Sequence, residues 1–270
     1  MALQVKGQAH GQAMIAIDRV AKRFVARGRE VMALEAVSLD IEPGAFVAFV
    51  GPSGCGKSTL LNMIAGIVGP SSGTIVHDGE MVDGINRNVG YMTQIDSLLP
   101  WRTAEANVML PLELRGSSRA AARARASTLL DTVNLGGFAQ AFPLELSGGM
   151  RKRVALAQVL AYDPHTLLMD EPFGALDAQL KLVMQQELAA IRERTGKTIV
   201  FVTHDLAEAI ALADRVVVFT GRPGKVKTVR DIDLPRPRDM FKVRFAPRFQ
   251  ELYEDLWAAL APEIHKGEAL

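Results

Sequence analysis

Gly51-Pro-Ser-Gly-Cys-Gly-Lys57-Ser58-Thr59 is the stretch from which the rest of the chain can be read. An apolar run, Phe46-Val-Ala-Phe-Val50, precedes it. Leu60, Leu61, Ile64 and Ala65 follow on one face of a helical pattern that stops at Gly66. Strand, glycine-rich loop and helix form the setting in which G-x-x-x-x-G-K-[ST] holds phosphate. The glycines let successive backbone N–H groups converge on an anion, and the helix N-terminus adds its positive dipole end. Lys57 can reach the β- and γ-phosphates, and the Ser58 hydroxyl can ligate Mg2+. Gly51, Pro52, Ser53, Gly54, Cys55, Gly56, Lys57, Ser58 and Thr59 are therefore expected to bind a nucleoside triphosphate.

With 270 residues the chain is long enough to bury a large core, and 49% of its residues are hydrophobic. Its 31 Lys and Arg against 30 Asp and Glu leave a net charge of +1. Bulk charge thus points to neither nucleic acid nor an anionic surface. The one cysteine, Cys55, sits in the phosphate loop, where it reads as a small loop residue. A disulfide framework is excluded, and a reducing compartment is expected. No window reaches the roughly 18 consecutive apolar residues of a membrane span. Residues 1–12 lack the apolar core of a secretory signal and are expected to form a frayed tail.

Short strands are predicted around Met14–Ile17 and Ala33–Ile41, followed by a turn at Pro43-Gly44 that feeds the apolar strand. Thr74–Val76 ends at an Asp78-Gly79 hairpin turn, and Val89–Met92 is another short strand. These pieces are expected to form an antiparallel sheet beside the nucleotide core. A helical lobe is predicted over about residues 95–163, with caps at Thr103, Ser118 and Ser147. Arg119, Arg123 and Arg125 alternate with alanine there and read as a solvated helix face.

Strand and helix then alternate: Thr166–Met169, Ala178–Thr195 closed by Gly196, Thr198–Val202, a helix capped by Asp205, and Val216–Phe219 as the last clear strand. Such alternation predicts an α/β fold with a mostly parallel sheet under helices, and ligands at the C-terminal strand ends. Phe249, Leu252, Tyr253, Leu256, Trp257 and Leu260 fall at helical spacing in a C-terminal extension, 241–270, expected to dock on the 13–240 domain.

Three further groups carry chemistry. Asp170 and Glu171 end an apolar strand; the Asp can hold Mg2+ and the Glu can orient or deprotonate water. Alone, the pair would read as a cap before Pro172. His204 ends the adjacent strand, within reach of a γ-phosphate. Leu146-Ser-Gly-Gly-Met150 opens a helix with a hydroxyl and free N–H groups, which by itself is only a well-capped helix.

Taken in order and spacing, the phosphate loop, Gln94, Leu146–Met150, Leu167–Glu171, Ala175-Leu-Asp177 and His204 resemble the ATP-binding subunit of an ABC transporter. The resemblance runs from about Ala13 onward. It implies a P-loop NTPase of ABC type, with an antiparallel β lobe and an inserted helical lobe, using ATP and Mg2+. Under it, Phe24 corresponds to the aromatic, usually tyrosine, that stacks on adenine. Gln94 corresponds to a glutamine that approaches Mg2+ and contacts the membrane subunit. Glu171 is implied to be the catalytic base, His204 the γ-phosphate switch, and Asp177 a link between two sites. Ser147, Gly148 and Gly149 are implied to cap ATP held by a second copy.

Gln94-Ile-Asp-Ser-Leu-Leu-Pro-Trp101, Gly221-Arg-Pro-Gly224 and Leu234-Pro-Arg-Pro-Arg238 are similar to the nitrate/sulfonate/taurine branch of bacterial importers. That likeness puts Trp101 near the membrane subunit, against a plain reading as a packed aromatic. The implied partners are a second, identical ATP-binding subunit, two integral-membrane permeases and a solute-binding protein, with no nucleic acid. The implied location is peripheral, on the cytoplasmic face of the inner membrane. A thiamine-precursor pyrimidine or other small solute is the alternative cargo. A non-transport ATPase acting on nucleic acid or ribosomes is the alternative class.

Overall fold

The computed structural model describes residues 13–26, 29–95, 97–174 and 176–268. The expected tail, together with Asp96 and Ala175 of the quoted stretches, lies outside them. The chain opens with β1 (Ile15–Ala26) and β2 (Arg29–Ile41), and β3 (Phe46–Val50) leads through the phosphate loop into α1 (Lys57–Ile64). A hairpin follows, β4 (Ser72–His77) and β5 (Glu80–Met81), then β6 (Val89–Met92). Three helices come next: α2 (Ala104–Leu114), α3 (Arg119–Thr132) and α4 (Gly148–Leu160). The remainder alternates through β7 (Thr166–Asp170), α5 (Ala178–Thr195), β8 (Thr198–Val202), α6 (Leu206–Leu212), β9 (Arg215–Phe219), β10 (Val226–Asp231) and α7 (Pro247–Glu268).

Two sheets result. An antiparallel sheet has the order β2-β1-β4-β5, and a six-stranded sheet has the order β10-β9-β3-β8-β7-β6. Within the larger sheet β9, β3, β8, β7 and β6 run parallel, and β10 closes one edge antiparallel. β3 sits inside and is buried at all five positions, as a parallel strand covered on both faces must be. Its side chains alternate between two cores. Phe46, Ala48 and Val50 join the helical side, and Val47 and Phe49 join α1 and the antiparallel sheet.

Local chemistry starts each helix where the sequence places it. Thr103, Ser118, Ser147, Asp177 and Asp205 all accept backbone N–H bonds from the first turn that follows. Each such cap stabilises its helix by about 1 kcal/mol. α5 ends at Gly196 in the left-handed conformation, as its sequence predicts.

The fold corrects three expectations and rules out one alternative. Val89–Met92 belongs to the parallel core, pairing with β7, and not to the antiparallel sheet. Val216–Phe219 is not the last strand, because β10 follows it; its exposed Lys227, Arg230 and Asp231 suit a solvent-facing edge. Trp101 is 72% exposed, so it is the alternative of a packed aromatic that fails. Finally, the α7 stripe splits in two. Phe249, Leu252, Leu256 and Leu260 bury, each contributing about 2 kcal/mol. Tyr253 and Trp257 stay partly exposed and stack on each other, rings 6.4 Å apart. The α3 arginines are exposed as expected, with Arg123 bound to Glu105 at 3.0 Å. Among the described residues, no helix is long and apolar enough to cross a membrane.

Candidate nucleotide-binding site

The C-terminal end of β3 and the start of α1 open onto a cleft of about 640 Å3. Ser53, Gly54, Gly56, Lys57, Ser58 and Thr59 line one side, and Phe24, Val31 and Ala33 of the β1–β2 hairpin line another. Gln94, Glu171, His204 and Arg222 complete it. Phe24 is 41% exposed, with the Lys22 ammonium 5.2 Å from its ring centre. An open aromatic face beside a phosphate loop suits a purine base. Lys57 donates to the carbonyls of Gly51 and Pro52 at 2.8 and 2.9 Å, which fastens its buried ammonium across its own loop. Cys55 is buried, its sulfur 3.6 Å from that ammonium, which agrees with a packing role.

Three strand ends supply the polar cluster. The Ser58 hydroxyl donates to Asp170 Oδ1 at 2.9 Å. A hydroxyl next to a carboxylate is a hard oxygen donor set, and it fits Mg2+. Among the described residues there is no group of three or more His, Cys, Asp or Glu to hold a metal. The remaining ligands would therefore be phosphate oxygens and water, the usual arrangement for this ion. Burial pushes the Asp170 carboxyl up from its ordinary value, with the Ser58 hydrogen bond opposing and Glu171 adding to the rise.

Glu171 is the hub. Its Oε2 meets His204 Nδ1 at 3.1 Å and Gln94 Nε2 at 3.5 Å. When Glu171 is ionised its carboxylate can only accept, so this contact then calls for the proton on Nδ1 of His204. Glu171 also holds a left-handed backbone, φ 45°, with its N–H bonded to Val202 O of the neighbouring strand at 2.9 Å. A side chain in that region costs roughly 1–3 kcal/mol, a strain that collects at functional sites.

The structure does not bring Ser147, Gly148, Gly149 or Asp177 into this cleft. They form a separate patch. Ser147 caps α4, accepting from Met150 N at 3.3 Å, and Asp177 caps α5 through Gln179 N and Leu180 N. The two helix starts meet at Leu180: a Cβ on Gly149 would stand 1.9 Å from its Cδ2, so a larger residue there would push the Leu180 side chain aside. Ser147, Gly148 and Asp177 are exposed.

Two residues at the site escaped the sequence reading. Lys152, buried on α4, donates to Gln94 O at 2.7 Å and so ties the helix behind Ser147 to the glutamine of the cleft. Arg222 lines the cleft and donates twice to Gly54 O. Lys152 belongs to a basic run that reads as helix surface. The Gly-Arg-Pro-Gly stretch around Arg222 stands out in the sequence without indicating a role.

Against this geometry, a family model described as ABC transporter matches residues 34–174. The taurine import ATP-binding protein TauB of Rhizobium johnstonii is 46% identical, over 92% of this chain and 96% of its own. The nitrate import ATP-binding protein NrtD of Synechocystis is 43% identical, over 92% and 95%. The aliphatic sulfonates import ATP-binding protein SsuB of Bacillus cereus is 41% identical, over 88% and 92%. A solved dimeric post-hydrolysis state of an ATP-binding cassette, bound to ADP and Pi, superposes with a TM-score of 0.74. It is 34% identical and covers 82% of this chain and 100% of that one.

Proposed function

We propose, from the premise that this chain belongs to the ABC transporter family, that it is the ATP-hydrolysing subunit of an importer for small oxyanions or sulfonates. It works as a homodimer beneath two permease subunits, on the cytoplasmic face of the membrane, served by a solute-binding protein. One observation carries the ATPase reading: Gln94 and His204 converge on a single oxygen of Glu171, beside the Ser58–Asp170 pair. The class of solute is supported by the relatives that act on taurine, sulfonates and nitrate.

The chemistry follows from the residues. The phosphate loop and Lys57 bind the polyphosphate, while Phe24 covers the base. Ser58 and Asp170, with Gln94 nearby, would hold Mg2+, which when bound neutralises charge on the phosphate oxygens. Glu171 accepts a proton from, or orients, the attacking water. His204 keeps the Glu171 carboxylate placed and faces the γ-phosphate position. Ser147 to Gly149 and Asp177 act on the ATP of the second subunit, so closure of the dimer completes both sites and hydrolysis releases it.

Mg2+-dependent phosphate release from the purified chain tests the first half. Uptake of labelled taurine, alkanesulfonates and nitrate in a deletion strain tests the second, with rescue by the wild-type gene expected for one of them. Uptake of a thiamine-precursor pyrimidine alone would contradict the anion class. Absence of any ATP hydrolysis would contradict the whole reading.

A further inference from the structure

Gly221 to Gly224 joins three parts of the molecule that the hydrolytic mechanism leaves separate. Its arginine lies on the phosphate loop: Arg222 Nε and Nη2 donate to the Gly54 carbonyl at 3.2 and 3.0 Å. Its last residue is wedged against the next peptide of that loop. A Cβ on Gly224 would stand 1.9 Å from the Cys55 carbonyl oxygen, a contact that only glycine permits. Gly224 also bonds β2 on both sides, donating to Ala33 O at 2.9 Å and accepting from Glu35 N at 3.0 Å. Ala33 lines the same cleft.

The third attachment is α7. Gly221 N donates to Glu263 Oε2 at 3.1 Å, and Lys227 Nζ donates to Glu263 Oε1 at 2.7 Å. The Glu263 side chain is 7% exposed. A buried carboxylate with both oxygens in charge-assisted or backbone bonds is a rigid post. α7 itself is anchored by Leu256 and Leu260, which flank the approach to Glu263 and are buried.

We propose that Gly221–Gly224 is a clasp through which α7 sets the shape of the phosphate loop, with Arg222 and Glu263 as its positioning residues. The physical link is the planar peptide. With the Gly54 and Cys55 carbonyls fixed by Arg222 and Gly224, the N–H groups of Cys55 and Gly56 on the opposite edges have fixed directions too. The loop's backbone, closed on itself by the bond from Cys55 N to Pro52 O at 3.3 Å, is then ordered before a phosphate arrives, which lowers the ordering cost of binding. The clasp acts on affinity for phosphate-bearing ligands and leaves the hydrolytic groups, Glu171 and His204, untouched.

The proposal rests on the nucleotide reading above, and its test separates the two. ATP and ADP are titrated against the full chain, and steady-state hydrolysis is measured alongside. Arg222→Ala is expected to raise both Kd values about tenfold, the worth of one charge-assisted bond. KM should rise with them while kcat stays within about twofold, the mark of lost uniform binding. Arg222→Lys, with its charge kept and its fork lost, is expected to fall between, and it carries the test if the alanine variant does not fold. Glu263→Ala lies outside the cleft and is expected to raise the same constants about threefold. Because the two residues act in series, the double variant should match Arg222→Ala alone.

Arg230→Ala is the control. It cuts a different β10–α7 bridge, Arg230 to Asp255 at 2.7 Å, and should leave affinity unchanged. Unchanged Kd values in both Arg222 variants, additive losses in the double variant, or an equal loss in Arg230→Ala would overturn the clasp. A wild-type chain that binds no ATP would instead refute the nucleotide reading.

Discussion

The cleft at Lys57 and the patch at Ser147 are built from the same materials and used differently. Both are a loop at a helix N-terminus, with glycines and a hydroxyl. In the cleft, Ser58 is bonded to Asp170 across 112 residues, and Glu171 gathers Gln94 and His204 from two other segments. Three strand ends of one sheet meet there, so the proposed metal, water and phosphates would all find partners within one chain. At the patch, Ser147 and Asp177 bond only to their own helix starts, and both are exposed outside the cleft. Under the proposed function, the difference means that this chain carries a donor half and an acceptor half that only a second copy brings together. Lys152 links the halves mechanically, since it runs from the α4 helix to Gln94 O.

The largest expected break in that contrast is Glu171→Gln. The amide keeps the shape but loses the base, so phosphate release should fall by about a hundredfold or more while ATP still binds. The variant should accumulate as an ATP-bound dimer on size-exclusion chromatography; near-wild-type turnover would remove Glu171 from its role. Next comes Ser147→Ala, for which turnover should drop about tenfold while ATP affinity of the isolated chain is unchanged. An equal loss of affinity would place Ser147 in the same chain's site.

Asp170 gives a pH prediction for the nucleotide-free chain. Burial raises its folded pKa above the ordinary 3.8, so the folded state holds a proton that the unfolded state has released in the window between the two values. This residue's contribution to stability is therefore full below 3.8 and is lost as pH rises through the folded value. Asp170→Asn should remove that component, which is read from urea midpoints of the two proteins across the acid range. An identical pH slope in both would mean that burial does not govern this carboxyl. The smallest effect is expected at Phe24. Phe24→Ala should weaken ATP binding about threefold through lost stacking, and Phe24→Tyr should leave it unchanged.

How much could be read beforehand follows the range of the forces involved. The phosphate loop, the caps at Thr103 and Asp205, the end of α5 at Gly196 and the strand Thr198–Val202 depend on neighbours in sequence, and the structure has them where the residues predict. Glu171 and His204 were legible as strand ends, because an apolar run that stops at a charged residue marks the sheet's edge. What was not legible depends on distant partners. Val89–Met92 has four residues and no periodicity that tells a parallel neighbour from an antiparallel one, so its pairing with β7 is set by packing. β10, Val-Lys-Thr-Val-Arg-Asp, has no period-two pattern and reads as irregular until β9 supplies its ladder. Lys152 and Arg222 look like surface cations, and only the fold turns them toward the carbonyls of Gln94 and Gly54. The left-handed backbone of Glu171 has no sequence signal, since glycine is the residue expected there.

The central claim is that each chain holds half of two composite sites. It is tested most directly by mixing two impaired variants. Lys57→Ala keeps an intact Ser147 loop and loses its own phosphate grip; Ser147→Ala does the reverse. Each alone should hydrolyse little ATP. Mixed with ATP and Mg2+, they should recover phosphate release above the average of the two, since a mixed dimer contains one site with both halves intact. A mixture that stays at that average, with mixed dimers demonstrably present, would contradict the account and put the whole reaction inside a single chain.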